Sequence, residues 1–216
     1  MTATRRLLAA SLIALALAGC RGTGDIVVDE SVGITAVRGA CPAVGIPDYT
    51  GDVTLFSTPG STDSRAIDVV AAMTDLRSQC DDRADKVYAG VSFNVLARRS
   101  DARGARTVQL PYFVTVLRGG TAVISKRIGT VTLNFADGQD RASASAKGGA
   151  FVDRAEATLP AEIRERITRK RKAGDPDAAI DPLSDPEVKA AVARATFEVL
   201  VGFQLDQSQI AYNATR

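Results

Sequence analysis

In the stretch Val87-Tyr88-Ala89-Gly90-Val91-Ser92-Phe93-Asn94-Val95-Leu96-Ala97-Arg98, the odd positions carry only Val, Ala and Phe, and the even positions carry Tyr, Gly, Ser, Asn, Leu and Arg. Successive side chains of a β-strand point to opposite faces, so the odd set forms a core face and the even set a largely wet one. Working outward, similar runs occupy residues 53–57, 66–76, 107–117, 121–128, 130–135, 142–146 and 150–159, divided by turn residues. Many short strands at such spacing are the mark of an all-β sandwich or barrel. Gly119-Gly120 and Asp137-Gly138 supply the positive φ angles of tight turns. Pro111 lacks a ladder donor, which places its strand at a sheet edge or at a bulge.

The pattern changes at Leu159. Pro160, Glu162 and Glu165 open a helical stretch, the basic run Arg169–Lys172 closes it, and Gly174 follows, an order that suits the helix dipole and a glycine stop. An acidic, proline-containing loop with Asp175, Asp177, Asp181 and Asp185 comes next. Asp185-Pro186-Glu187 then reads as an N-cap, a first-turn proline and an acid, starting a second helix through about residue 195. Phe197, Val199, Val201, Phe203 and Leu205 alternate against Glu198, Gly202 and Gln204 and return as a last strand. The expected fold is mostly β: an antiparallel sandwich of immunoglobulin-like or fibronectin-like type over residues 41–216, with a two-helix insertion at 159–195 before the last strand.

The N-terminus has a different character. Arg5 and Arg6 precede an apolar segment at residues 7–18, which ends in Leu17-Ala18-Gly19-Cys20. Twelve apolar residues are too few to cross a bilayer, since a spanning helix needs roughly 20. Ala16-Leu17-Ala18 also fits the small-x-small pattern of ordinary secretion, with cleavage before Gly19. Leucine three residues before a cysteine, with small residues between, resembles the lipobox of bacterial lipoproteins. That resemblance implies cleavage of residues 1–19 as a signal peptide and lipid on Cys20, whose several acyl chains hold stably where one binds marginally. Arg21, where an aspartate would retain an enterobacterial lipoprotein at the inner membrane, implies the outer membrane, periplasmic side. Residues 20–40, with Gly22, Gly24, Gly33 and Gly39, read as a lipidated tether of about 25 Å if flexible, carrying at most one short strand at 34–37.

Removal of residues 1–19 leaves 197 residues with 25 basic and 25 acidic side chains. That is enough for one domain with a real core. The zero balance gives no reason to expect nucleic acid as a partner. With Cys20 lipidated, Cys41 and Cys80 remain in a compartment where disulfides persist, and they are expected to pair. Two buried free thiols are the alternative, while two isolated cysteines cannot complete a zinc shell without carboxylates.

The chain has no histidine, which excludes His-dependent triads, HExxH metal sites and imidazole acid/base catalysis. Ser143, Ser145 and Lys147 lack Ser-x-x-Lys spacing and read as a strand. The four aspartates of residues 175–185 lack the EF-hand pattern and suit turns. Asn213-Ala214-Thr215 reads as an ordinary chain end. Neither a catalytic residue nor a cofactor or metal is expected. The conspicuous charge feature is Arg164, Arg166, Arg169, Lys170, Arg171 and Lys172. On a continuous helix these cations surround the axis instead of forming a stripe, which favours a solvated helix over a partner or polyanion contact.

The body, with Cys41-Pro42, the run Leu110-Pro111-Tyr112-Phe113-Val114-Thr115-Val116 and Ser125-Lys126-Arg127, is similar to uncharacterised outer-membrane lipoproteins of alphaproteobacteria. The resemblance implies an envelope protein without an assigned activity. Together these readings lead to the expectation of a non-enzymatic binding or assembly module, lipid-anchored in the periplasm and joined to an envelope protein partner. The alternative is a structural component bridging outer membrane and cell wall through the basic helix at 160–172, and an enzyme using carboxylates comes third.

Overall fold

The computed structural model describes residues 39–216; the expected signal peptide at 1–19, Cys20 and the short strand expected at 34–37 lie outside the described residues. Eight strands and three α-helices follow in chain order: β1 (Ala43–Gly45), β2 (Asp52–Phe56), β3 (Ile67–Asp81), β4 (Lys86–Arg99), β5 (Arg106–Arg118), β6 (Ala122–Phe135), β7 (Arg141–Asp153), α1 (Ala161–Thr168), α2 (Pro186–Ala195), β8 (Phe197–Phe203) and α3 (Gln207–Thr215). They form two four-stranded sheets, β1-β8-β5-β6 and β2-β3-β4-β7, whose neighbours run antiparallel except for the parallel β1–β8 pair. The expected β-sandwich with helices inserted before the last strand is present. Its strand order does not by itself identify an immunoglobulin-like or fibronectin-like arrangement.

The core face read from residues 87–98 is buried throughout: Val87, Ala89, Val91, Phe93, Val95 and Ala97 are all buried, and all but Val87 pack in the core shared with the opposite sheet. From that sheet Val108, Leu110, Tyr112, Val114, Val116, Val131, Leu133, Val199 and Val201 meet them. Phe93 and Tyr112 pack edge to face at 5.2 Å. The Tyr112 hydroxyl donates to the Lys147 carbonyl at 2.9 Å, so the ring's polar end is satisfied and the two sheets are joined. The disulfide between Cys41 and Cys80, with Cα atoms 6.0 Å apart, fixes the start of the described chain to the end of β3.

Four sequence expectations change. Residues 121–128 and 130–135 are one strand, as are 142–146 with 150–153, because the intervening glycines serve packing and not turns. A Cβ at Gly129 would stand 2.5 Å from the Tyr112 ring, one at Gly148 2.6 Å from Val114, and one at Gly149 2.6 Å from the Tyr88 hydroxyl. Residues 154–159 leave the sheet in a turn, closed by the Ala157 N–H on the Asp153 carbonyl at 3.0 Å. β3 runs five residues past the expected end, because a bulge at Asp75, whose φ is +52°, reverses the inward parity and breaks the period-2 pattern. Pro111 lies in neither an edge strand nor a bulge: β5 is flanked by β6 and β8. The β8 ladder reaches only to Tyr112, and the Pro111 carbonyl accepts from Gln204 N–H at 2.9 Å on that side. The donor that proline lacks would therefore point past the end of the ladder.

The helical excursion packs a satellite core of Leu159, Ile163, Ile167, Val188, Ala191 and Val192. α2 starts where Asp185 caps it, accepting from the Glu187 and Val188 N–H groups. α1 ends at Thr168, so the basic run does not continue on a helix: Arg169 takes an extended conformation as the C-cap, and Gly174 sits in a later turn. The chain end is also ordered. Asp206 and Gln209 form a reciprocal capping box for α3, and buried Asn213 donates to the Tyr49 and Asp52 carbonyls at 2.8 and 2.9 Å. Residues 213–215 thus belong to the docked end of α3.

Candidate functional site

The outer face of the β3-β4-β7 sheet is built from the even positions of the strand that decided the fold. Register sets Phe151 beside Tyr88, Gly149 beside Gly90, Lys147 beside Ser92, Ser145 beside Asn94, Ser143 beside Leu96 and Arg141 beside Arg98. On the other flank β3 contributes Asp81, Gln79, Arg77 and Thr74 to the first four of these rows. The face is therefore one aromatic row followed by rows of glycine, hydroxyl, amide and cation.

Its geometry centres on Tyr88. The two glycines leave a floor on which the phenol ring lies along the sheet: a Cβ at Gly90 would meet the ring at 3.0 Å, and one at Gly149 would meet the ring at 2.8 Å and the hydroxyl at 2.6 Å. Phe151 stands next to it, centroids 4.9 Å apart and planes inclined at 45°. Exposure is 36% for Tyr88 and 67% for Phe151, and the Tyr88 hydroxyl has no hydrogen-bond partner among the described residues. The aromatic pair is thus held in place from beneath and open from above, which makes it a candidate contact surface.

Charges on this face are mostly accounted for. Arg77 pairs with Asp75 at 2.8 Å and Arg98 with Asp140 at 3.2 Å. Asp81 is held below the ordinary carboxylate range, first by the Arg83 guanidinium at 2.6 Å and then by the Arg83 N–H. Lys86 faces Asp153 across β4 and β7. Lys147 and Arg141 carry no ion pair among the described residues. Ser145 donates to Asn94 at 2.7 Å and Asn94 to Asp75 at 3.3 Å, so the middle rows are linked to one another.

The six cations singled out from the sequence lie in the helical excursion that follows β7, largely engaged within it. Arg166 bonds Asp185 and, at 3.1 Å, Glu187; Arg169 bonds Asp177. Arg171, only 4% exposed, bonds Asp177 at 3.2 Å and donates to the Arg166 carbonyl. Lys170 is also engaged, whereas Arg164 and Lys172 have no ion pair among the described residues. The four aspartates are the matching half: Asp175 accepts from Lys172 N–H, Asp177 takes two arginines, Asp181 caps the turn Pro182–Ser184, and Asp185 caps α2. Burial alone would raise Asp177, but the Arg171 and Arg169 guanidinium groups hold it below its ordinary range. A cleft of about 730 Å³ between α1 and this loop is lined by these paired groups.

A second concavity of about 370 Å³ lies where the described chain begins, between Cys41, Asp82, Arg154, Leu159, Arg164 and Phe197. Among the described residues no group of three His, Cys, Asp or Glu side chains could hold a metal ion, and no helix is long and apolar enough to cross a membrane. Ser143, Ser145 and Lys147 are alternate residues of β7 and stand in successive rows of the outer face, as a strand requires. The aromatic pair was not singled out from the sequence. Its signal is the Gly148-Gly149 step inside a strand together with Gly90, since glycine in a strand interior marks a close approach by another group. The chain matches no protein-family model, no curated protein and no solved structure.

Proposed function

We propose that this protein is a lipid-anchored envelope protein, held at the periplasmic side of the outer membrane through Cys20, whose sandwich acts as a non-enzymatic binding module. The observation that carries the binding half is the Tyr88–Phe151 pair, presented flat on a rigid sheet and left open to solvent. A folded chain gains nothing from leaving two rings uncovered, whereas a ligand gains a preorganised contact with little ordering cost. The anchoring half is supported by the lipobox-like run at residues 17–20 and by the Cys41–Cys80 disulfide, which suits an oxidising compartment. Bridging to the cell wall through residues 160–172 draws less support, because most cations of that run already have partners in the excursion.

Two measurements in cells test the reading. Fatty-acid labelling of the full chain is expected and should vanish in Cys20→Ser; an unlabelled product starting at Gly19 overturns the anchor. A photoreactive phenylalanine at position 151 should give a discrete adduct, and the same probe at Thr132, exposed on the opposite sheet, should not. Equal yields at both positions overturn the binding face.

A further inference from the structure

On the reading that the outer face of β3, β4 and β7 is the binding surface, we propose that its ligand is an acidic glycan: a pyranose chain bearing carboxylates, stacked on Tyr88 and Phe151 and met farther along by Lys147 and Arg141. The shape of the apolar part decides first. Two adjacent rings in one row, and Leu96 with the partly exposed Val70 several rows away, are the large apolar groups exposed on β3, β4 and β7. A specific protein interface buries about 800 Å² per partner around a continuous apolar centre, which this face does not have. A pyranose needs less. Its flat C–H face is apolar and its C–H bonds are weakly positive, which matches the negative face of an aromatic ring, and its rim of hydroxyls needs a polar surround.

That surround is in place. Beside the rings lie the unpartnered Tyr88 hydroxyl and the rows Gln79, Ser92, Asn94 and Ser145, short polar groups able both to donate and to accept. Phe151 and Lys147 are four residues apart on β7, about 13 Å at the rise of a strand, and Arg141 continues the same row. Contacts spread along a line suit a chain and not a single sugar. Charge selects the kind of chain along the rows beyond the rings: at the ring end Asp82 lines a concavity with Tyr88, Arg83 pairs with Asp81 and Lys86 stands in register with Asp153, while farther along Arg77 and Arg98 are paired with Asp75 and Asp140. What remains is the positive charge of Lys147 and Arg141, complementary to carboxylates.

The test is calorimetric titration of the full chain, solubilised in detergent, with three probes of similar length: an oligosaccharide alternating glucuronate and N-acetylglucosamine, an oligomer of N-acetylglucosamine alone, and polyglutamate. The acidic oligosaccharide is expected to bind most tightly. Phe151→Ser should weaken it about tenfold, the order of one lost ring contact. Lys147→Ala with Arg141→Ala should erase the preference for the acidic over the neutral sugar. If Phe151→Ser lowers the melting temperature, Phe151→Leu, which keeps an apolar side chain but removes the ring, should show the same weakening. Binding of polyglutamate as tight as that of the acidic sugar, or no effect of either Phe151 variant, overturns the proposal. Failure of both sugars to bind, with a peptide adduct still forming at position 151 in cells, overturns the glycan and leaves the binding face standing; loss of that adduct too removes both.

Discussion

Arg99 is 2% exposed, and its guanidinium is held by carbonyl oxygens alone: Gln139 at 2.8 Å, Gly104 at 2.8 Å, Ala102 at 2.6 Å and Ala136 at 2.9 Å. It also lies over the Phe135 ring at 5.2 Å. One planar fork thus ties the loop after β4 to the turn after β6, at the end of the sandwich where the chain changes sheets twice. Arg99→Met leaves these acceptors without donors, and its expected cost is about 3 kcal/mol. Arg99→Lys keeps the charge but cannot reach four carbonyls in one plane, so it should recover less than half of that loss. Urea midpoints at unchanged slope measure both; equal stability of the Lys variant and the parent would show that charge alone suffices. The sequence marks Arg99 only as an arginine at an inward position, a place where isolated reading expects an apolar residue. Tyr88 and Phe151 are similarly obscure from sequence, because they become neighbours only through the β4–β7 register, and register is a property of the folded pair.

At the scale of elements, the strongest readings are those with a local cause. β4 follows from alternation, the β5–β6 turn from Gly119-Gly120, whose φ angles are +62° and +77°, and α2 from its Asp185-Pro186 start. β1 is three residues long and shows no period, so nothing local announces it; it exists because β8 offers a free edge. The glycines of β6 and β7 mislead for the opposite reason, since a glycine read alone signals a turn although here it admits a side chain from elsewhere. Gly148→Ala should therefore destabilise by about 2 kcal/mol through overpacking against Val114, whereas Gly138→Ala, at a turn with φ +77° and open space, costs through backbone strain only. Thermal unfolding of both variants, with Val114→Ala as a rescue for the first alone, separates the two causes. The disulfide acts on an element as well. Its sequence separation of 39 implies a loop-closure contribution of about 4 kcal/mol, so Cys41→Ser with Cys80→Ser should lower the denaturant midpoint, and reductant should do the same to the parent and nothing to the variant.

Across the whole molecule the two apolar clusters are separate: the sandwich core, and the satellite core of α1, α2 and Leu159. They are stitched mainly where the β5–β6 hairpin meets the end of α2, by Gly119 N–H on the Thr196 carbonyl at 2.9 Å and by Arg118 on the Arg194 carbonyl at 2.6 Å. The small core relies on charge to hold its loop, through Arg166 with Asp185 and Glu187 and through Asp177 with Arg169 and Arg171. Asp185 is held below the ordinary carboxylate range, first by the Glu187 N–H and then by that of Val188, with Arg166 adding to the shift; Asp177 is lowered by its two arginines against its own desolvation. A carboxylate with a depressed folded pKa binds fewer protons folded than unfolded, so its contribution is fully present above the ordinary range, about pH 4, and is lost as pH falls through the lowered values. The sandwich shares this dependence through Asp68, which the Arg106 guanidinium holds below the ordinary range, but its core rests on apolar contacts and ladders and so loses a smaller share of its stability in acid. Amide hydrogen exchange followed from neutral to acid pH should then show α1 and α2 opening at lower free energy than β4 and β5, with the gap widening below the ordinary carboxylate range. Arg166→Gln should reproduce at neutral pH part of what acid does to the helices while leaving β4 and β5 protected. Exchange of helices and strands in a single step at every pH would mean that the stitches at Gly119 and Arg118 bind the two cores into one cooperative unit, and the charged loop would then stabilise the sandwich itself.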